Sequence, residues 1–487
     1  MQHVLAVDQG TSGTKAVVVD ASGAVLSSAE VAHAPRHLPG GGVEHDPEQL
    51  WDAVVATGRR ALAAAGLPVG AVGAVALANQ GETVLAWDRD TGRPLSQAVV
   101  WQDRRAVTVT DPLRAQGYAE PLARRTGLVL DPYFSAPKLR WLRDHVTSEG
   151  VVTTTDAWLV HRMCGAFVTD VSTAGRSLLT ALEDPTRWDA DLLATFGLAD
   201  EPVPAIVAGD DVVGATDVFG PTLAVTGLVV DQQAALLAQG CWEAGTAKCT
   251  FGTGAFLLVQ TGTTPVLSPG GLTTSAAWRL RDETRFCVDG QVYTAASAVD
   301  WLAGLGVLGS AAEIDAVAAP DAGGVQFVPA LTGLAAPWWQ PDAAASLTGL
   351  RLGTGRAEVV RAVVEGVAAS VAHLLAVVRA EGTEVRSLRV DGGLTRSDVL
   401  VQALADRTQV PVERHRSEHT TAVGAAVAAH LALDPDLTPA AALPQGDSPS
   451  PVLPRWSPER AEAEGARWSA AAQAVADAPT TPTPEVR

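Results

Sequence analysis

The 487-residue sequence predicts an α/β fold built as two halves facing each other across a cleft. Three observations predict it. Strand-like and helix-like runs alternate, the pattern of a sheet whose ligands sit at the carboxyl ends of its strands. A strand, a Gly/Thr turn and a second strand open the chain at His3, and the same grammar recurs at Lys248. Hydrophobic residues make up 47% and charged residues 18%, enough apolar material for a large core and too little charge for global disorder.

HVLAVD (3–8) and KAVVVD (15–20) read as strands around the turn DQGTSGT (8–14), and ASG (21–23) turns the chain into AVLSS. Asp46-Pro47-Glu48-Gln49 opens a helix running to about Ala65, with Asp46 as N-cap, Pro47 at the first helical position and Gln49 completing a capping box. VGAVALA (72–78) is the next strand and delivers Asn79, Gln80, Gly81 and Glu82 at its end. The second half opens with KCTFGTG (248–254) and AFLLVQTG (255–262). Helices follow at 356–380, 397–408 and 420–432, with the strand LRVDGG (388–393) among them. Two domains are expected at 1–240 and 241–435. A Pro/Ala-rich tail follows at 436–487, with a helix at 457–476 and a disordered end at 478–487.

A formal net charge of −19 argues against nucleic acid or an anionic membrane as partner, because phosphate binding needs clustered Lys and Arg. Four cysteines without a C-x-x-C fit a reduced, intracellular protein lacking a disulfide frame or zinc cluster. MQHVLAVDQG has no signal-peptide features, and no run of 18 apolar residues is free of charges or turn formers. The expected location is the cytoplasm, with no stable membrane insertion. Only Lys15, Lys138 and Lys248 stand against 32 arginines. Chance placement and a need for a compact point charge both explain that bias.

DQGTSGTK (8–15) is not a Walker A loop, yet it holds what a phosphate cradle requires. Gly10 and Gly13 let backbone N–H groups approach oxygens, Thr11, Ser12 and Thr14 supply hydroxyls, and Lys15 adds charge. Asp8 is suited to a hydrated Mg²⁺. An ordinary polar hairpin turn explains the same residues. FGTGAF (251–256), with Thr253 between glycines, and VDGGLTRSD (390–398) are two further glycine turns of this kind. GLGVLG (304–309) matches G-x-G-x-x-G but follows a helix-like segment, so it reads as a helix end and loop. Asp231, between an apolar strand and a helix, is open to two roles, N-cap and general base. Glu82, Trp101, Gln102, Asp103 and Arg104 are residue types that line a polyol pocket or a solvated loop.

Two long stretches carry a resemblance. YFSAPKLRWLRDH (133–145) fits the first signature of the FGGY carbohydrate kinases, and ASLTGL (345–350) with Glu358, Val359 and AVVE (362–365) fits the second. The resemblance runs from about residue 3 to 432. Within the family the chain is most similar to the glycerol kinases, through NQGETVLAWD (79–88), DQQAALLAQG (231–240) and GTAKCTFGTGAFLL (245–258). It implies two actin-like, ribonuclease-H-like domains closing on their substrates. It also implies ATP-dependent phosphorylation of a primary hydroxyl of a small polyol or sugar, glycerol first. Asp231 would be the catalytic base, with Glu82, Trp101, Tyr133 and Gln232 around the polyol. Asp8 would serve Mg²⁺, Thr11, Ser12, Lys15 and Thr253 would lie near the phosphates, and Gly392, Gly393 and Ser397 beside the nucleotide.

The chain departs from that pattern at Gly81, where such kinases carry an arginine that helps bind the terminal hydroxyls. Either the pocket takes a longer polyol or ketose, such as a tetritol, a pentitol or a xylulose-like sugar, or another arginine such as Arg104 reaches in. A non-catalytic actin-like ATPase or sugar sensor is the alternative of another class. A homo-oligomer, dimer or tetramer, is the expected assembly.

Overall fold

The computed structural model describes residues 2–68, 70–415, 419–443 and 450–478. The opening apolar runs form a hairpin, β1 (His3–Gln9) and β2 (Gly13–Val19), and β3 (Val25–Ala32) extends it. Helix α1 (Pro47–Ala65) leads to β4 (Val72–Asn79), which lies parallel to β1. Strands β5 (Gly214–Thr216) and β6 (Leu223–Val230) complete a six-stranded sheet of order β5-β6-β4-β1-β2-β3. Asp46 caps α1 as expected, but its side chain accepts the Glu48 N–H at 3.0 Å, so the bond that would pair Gln49 in a capping box is not the one made.

The second half repeats the plan. Strands β7 (Thr246–Phe251) and β8 (Ala255–Gly262) form the hairpin, followed by β9 (Thr273–Leu280), β10 (Glu283–Val292), β11 (Ser387–Asp391) and β12 (Val412–Arg414). The order is β9-β10-β8-β7-β11-β12. In both sheets the opening strand pairs antiparallel with its hairpin partner and parallel with a later strand, β4 for β1 and β11 for β7.

The segments between β3 and α1 and between β4 and β5 add a further layer to the first half. Short strands at Arg36–Leu38, Gly42–His45, Val84–Trp87, Ala98–Val99 and Val151–Thr154 make a five-stranded sheet. Helix α2 (Ser135–His145), holding the first signature, packs there around Phe134, Leu139 and Leu142. The one-turn helix α3 (Val171–Ala174) is capped by Asp170, which accepts the Ser172 and Thr173 N–H groups. The short helix α4 (Asp231–Ala238) leaves β6 directly.

GLGVLG begins at the last residue of helix α5 (Ala296–Gly304), so it is a helix end and loop. Helix α6 (Arg356–Ala380) is long and apolar enough to cross a membrane by length and composition. Here Val360, Val363, Val367, Val371 and Leu375 bury its apolar residues in the core of the second half. Helix α7 (Asp398–Thr408) follows, with Ser397 as N-cap.

Helix α8 (Thr420–Leu433) comes late in the chain but packs on the first sheet, where Ala422, Ala425 and Ala426 share a core with Val4, Val17, Ala76 and Val229. Its approach is closer than any side chain permits. A Cβ on Gly424 would lie 1.9 Å from the Ala234 carbonyl oxygen, and one on Gly227 2.6 Å from that of Ala425. Gly424→Val should therefore lower the unfolding midpoint by pushing α8 off α4, at a cost above the usual 1–3 kcal/mol of overpacking. A thermal melt unchanged within 2 °C, on the order of a small surface effect, would contradict this contact.

Helix α9 (Pro458–Ala476) realises the helix expected in the tail. It is anchored by buried Trp468, whose indole Nε1 donates to the Phe327 carbonyl at 2.9 Å. Residues 479–487 of the segment read as disordered lie outside the described residues.

Candidate active site

A cavity of about 120 Å³ lies where the two halves meet. The first half contributes residues at the carboxyl ends of β1, β4 and β6, together with Trp101, Tyr133 and Arg176 from its inserted part. The second half contributes Phe256 from β8 and Asp289 and Gln291 from β10. The expected polyol-side residues Glu82, Trp101, Tyr133, Asp231 and Gln232 all line it, as does Thr11.

Asp231 is the first residue of α4 rather than its cap. The capping position is Val230, so the N-cap role is corrected. Strand β6 delivers Asp231 to the cavity floor, and Ser172 Oγ holds the strand end by accepting the Val230 N–H at 2.9 Å. One carboxylate oxygen of Asp231 accepts the Gln232 N–H at 2.6 Å. Burial raises the Asp231 pKa above the usual carboxylate value, while that N–H and the nearby Lys248 and Arg176 charges pull it back. The net direction is upward, toward a carboxylate more basic than a surface one, which suits proton acceptance from an alcohol.

Glu82 faces Asp231 from the turn after β4 and is 4% exposed. Its carboxylate accepts from Arg176 Nε, and Arg176 Nη1 reaches Asp289 at 3.1 Å, so one guanidinium ties a carboxylate of each half. Burial dominates the Glu82 pKa and raises it, against the pull of Arg176. The sequence offered no signal for Arg176. Asp289 and Gln291 carry no motif either, and Gln233 and Phe256 stand inside DQQAALLAQG (231–240) and GTAKCTFGTGAFLL (245–258) without a local mark of their role. Arg104, named as the arginine that reaches in, does not: it pairs with Asp131 at 2.8 Å. Asp103 is also drawn away, accepting the Val43 N–H and pairing with Arg105, and Gln102 is not among the lining residues.

The aromatic wall is Trp101, Tyr133 and Phe256, with ring centroids 5.6 Å (Trp101–Tyr133) and 6.1 Å (Trp101–Phe256) apart. Trp101 Nε1 donates to Thr11 Oγ1 at 2.9 Å, which in turn donates to Gln80 Oε1 at 3.1 Å. Lys138, fully buried, donates to the carbonyls of Pro132, Tyr133 and Phe134 and so fixes the turn that presents Tyr133. Burial pushes its pKa down to about 7, against the nearby Glu82, Asp103 and Asp131 charges. Lys138→Met should cost about 1–3 kcal/mol for each carbonyl left without a donor and raise KM for the alcohol through Tyr133. A melting midpoint and KM both equal to the parent's would remove Lys138 from this role.

The three glycine turns gather beside the cavity. Asp8 and Lys15 face each other in the β1–β2 register, and Lys15 lies 3.8 Å from Glu30. Ser12 and Thr253 are exposed and free to meet a ligand. Gly392, at φ +96°, presses so close to the Phe251 carbonyl that a Cβ would lie 2.2 Å from it, which joins the second and third turns, and Gly393 is next in line. Lys248, fully buried, links them to the cavity by donating to Gln232 Oε1 at 2.6 Å and Thr250 Oγ1 at 3.0 Å. Ser397 is drawn elsewhere: its hydroxyl donates to Asp315 at 2.6 Å and caps α7, so it is not offered to a nucleotide.

This architecture defines a class of protein, the two-lobed actin-like, ribonuclease-H-like fold with a polar cavity between the lobes. The model described as the FGGY family of carbohydrate kinases, N-terminal domain, matches residues 3–238, and that of its C-terminal domain matches 247–433. The chain belongs to the FGGY family of carbohydrate kinases, enzymes that transfer a phosphoryl group to an alcohol. It is 43% identical to a glycerol kinase of Alkalilimnicola ehrlichii over 89% of this chain and 90% of that one. It is 41% identical to a glycerol kinase of Thermus brockianus over 97% and 98%. The crystal structure of Plasmodium falciparum glycerol kinase with ADP superposes with a TM-score of 0.89 at 27% identity, covering 98% of each chain.

Proposed function

We propose that the chain transfers the terminal phosphoryl group of ATP to a primary hydroxyl of a small polyol, with glycerol as the preferred acceptor. The observation that carries this reading is the cavity itself. It is small, about 120 Å³, and sets one proton-accepting carboxylate, Asp231, among hydroxyl-binding partners and an aromatic wall. Asp231 takes the proton of the attacking hydroxyl, Glu82 and Gln232 accept and orient the remaining hydroxyls, and Trp101, Tyr133 and Phe256 pack on its C–H faces. Thr11, Ser12, Lys15, Thr253, Gly392 and Gly393 would lie along the phosphates. Catalysis of such transfers rests on positioning and charge stabilisation more than on covalent chemistry.

Among the described residues no three His, Cys, Asp or Glu side chains gather to hold a metal ion. Mg²⁺ fits here all the same, because it usually keeps its waters and takes only one or two carboxylates plus substrate phosphates. Asp8 is raised to about 7, first by burial and then by the Asp231 charge, so a cation between them relieves a real strain. Asp8 and Asp231 would hold it, and when bound it supplies positive charge for the phosphates.

An ATP-coupled screen across C3 to C6 polyols and ketoses tests the reading. Glycerol should give the highest kcat/KM, and no alcohol consuming ATP would overturn it. Preference for a C4 or C5 acceptor is the second reading, favoured by Gly81. Against it, a Cβ on Gly81 would already meet Val230 Cγ2 at 3.0 Å, so little space is opened there. We place the protein in the cytoplasm as a homo-oligomer, with its four cysteines as free thiols.

A further inference from the structure

We propose that Gln291 and Gln233 form an acceptor pair for substrate hydroxyls other than the one phosphorylated, and so select neutral, multiply hydroxylated alcohols. This rests on the reading above and deepens it. Asp289 and Gln291 alternate on β10 and point to one face of the strand. Both carboxylate oxygens of Asp289 are taken: Oδ1 accepts from Arg176 Nη1 at 3.1 Å, and Oδ2 accepts from Gln291 Nε2 at 2.6 Å. A carboxylate that pairs with arginine only accepts. Gln291 must therefore turn its NH₂ end to Asp289 and its carbonyl end away.

That carbonyl, Gln291 Oε1, is buried without a hydrogen-bond partner, on a residue only 2% exposed that lines the cavity. Gln233, two residues beyond Asp231, repeats the situation. It is fully buried and lines the same cavity, its Nε2 lies 3.5 Å from Ser275 Oγ, and its Oε1 has no partner. Two residues that line one small cavity each bury an amide oxygen without a donor, and a ligand that brings donors would satisfy them. Hydroxyl groups bring them. A carboxylate or phosphate ligand does not, and Glu82 and Asp289 would repel it. The pair spans the two halves, Gln233 from α4 and Gln291 from β10, so a polyol that satisfies both bridges the lobes.

The test compares the best polyol of the screen with its monodeoxy analogues, in the parent and in Gln291→Met, which keeps the length but removes the amide. In the parent, one analogue should lose about 10–100-fold in kcat/KM, the worth of one lost buried partner. Gln291→Met should raise KM for the full polyol by a similar factor with kcat and KM for ATP nearly unchanged, and should not worsen that one analogue further. Equal losses on polyol and analogue would mean a structural role and overturn the proposal. If Gln291→Met does not fold, Gln233→Met and the parent's own deoxy series decide, and a parent indifferent to every deletion sinks the idea. Thermal shift of the parent with polyol alone separates the two readings. Polyol binding that tracks the hydroxyls without ATP turnover would discard the kinase reading and retain this one.

Discussion

Asp231→Asn is expected to lower kcat by roughly 10²–10⁴, the usual worth of general-base help. Asparagine keeps the shape of the side chain and the oxygen that accepts the Gln232 N–H at 2.6 Å in the first turn of α4, so the local backbone has no reason to move. It removes the one group placed to take a proton from the alcohol. It also removes a buried negative charge whose pKa is raised by desolvation, so the folded state should be no less stable than the parent. The checks are single-turnover phosphoryl transfer, the thermal midpoint and nucleotide affinity. Loss of turnover with the last two preserved is the expected pattern. Turnover within about threefold of the parent would take Asp231 out of the mechanism.

Arg176→Met carries the largest expected effect on stability. It removes the single cation between Glu82, 4% exposed, and Asp289, 3% exposed, and breaking a buried pair in this way typically costs about 3–5 kcal/mol. The sign of the pH dependence follows. Without Arg176 the buried Glu82 carboxyl, already raised by burial, loses the charge that pulls it down and is pushed further toward its protonated form, so the folded state binds more protons than the unfolded one and its stability falls as pH rises. The deficit against the parent should therefore be smaller at pH 5 than at pH 8, and Arg176→Met combined with Glu82→Gln should recover part of it. Denaturant titrations at the two pH values measure this. A deficit independent of pH would falsify the picture of one guanidinium neutralising two acids.

The plan of the fold was open to reading because its signals are local. The apolar runs at 3–8 and 72–78, the Asp46-Pro47 helix start and the repeated glycine turns each follow from a few neighbouring residues. Asp231, Glu82, Trp101, Tyr133 and Gln232 were legible for the same reason, each lying in a quoted motif. Arg176 was not. It stands alone after a short polar stretch, and its partners lie 94 and 113 residues away in the sequence. Arg104 looked like the better candidate only because it was near Trp101 in sequence, while its actual partner is Asp131. Asp289 and Gln291 were hidden in β10 for a related reason. A strand periodicity predicts burial of alternate residues but not that two of them meet a cavity owned by the other half.

The return of α8 to the first sheet has a consequence for biosynthesis. A ribosome that has released only the first 240 residues has made every strand of that sheet but not the helix that covers its face at Val4, Ala76 and Val229. The nascent first lobe must wait, greasy side out, until residue 433 emerges. Cutting the gene between the lobes would yield not two independent modules but one incomplete piece, and chaperone demand should peak over the translation of that interval.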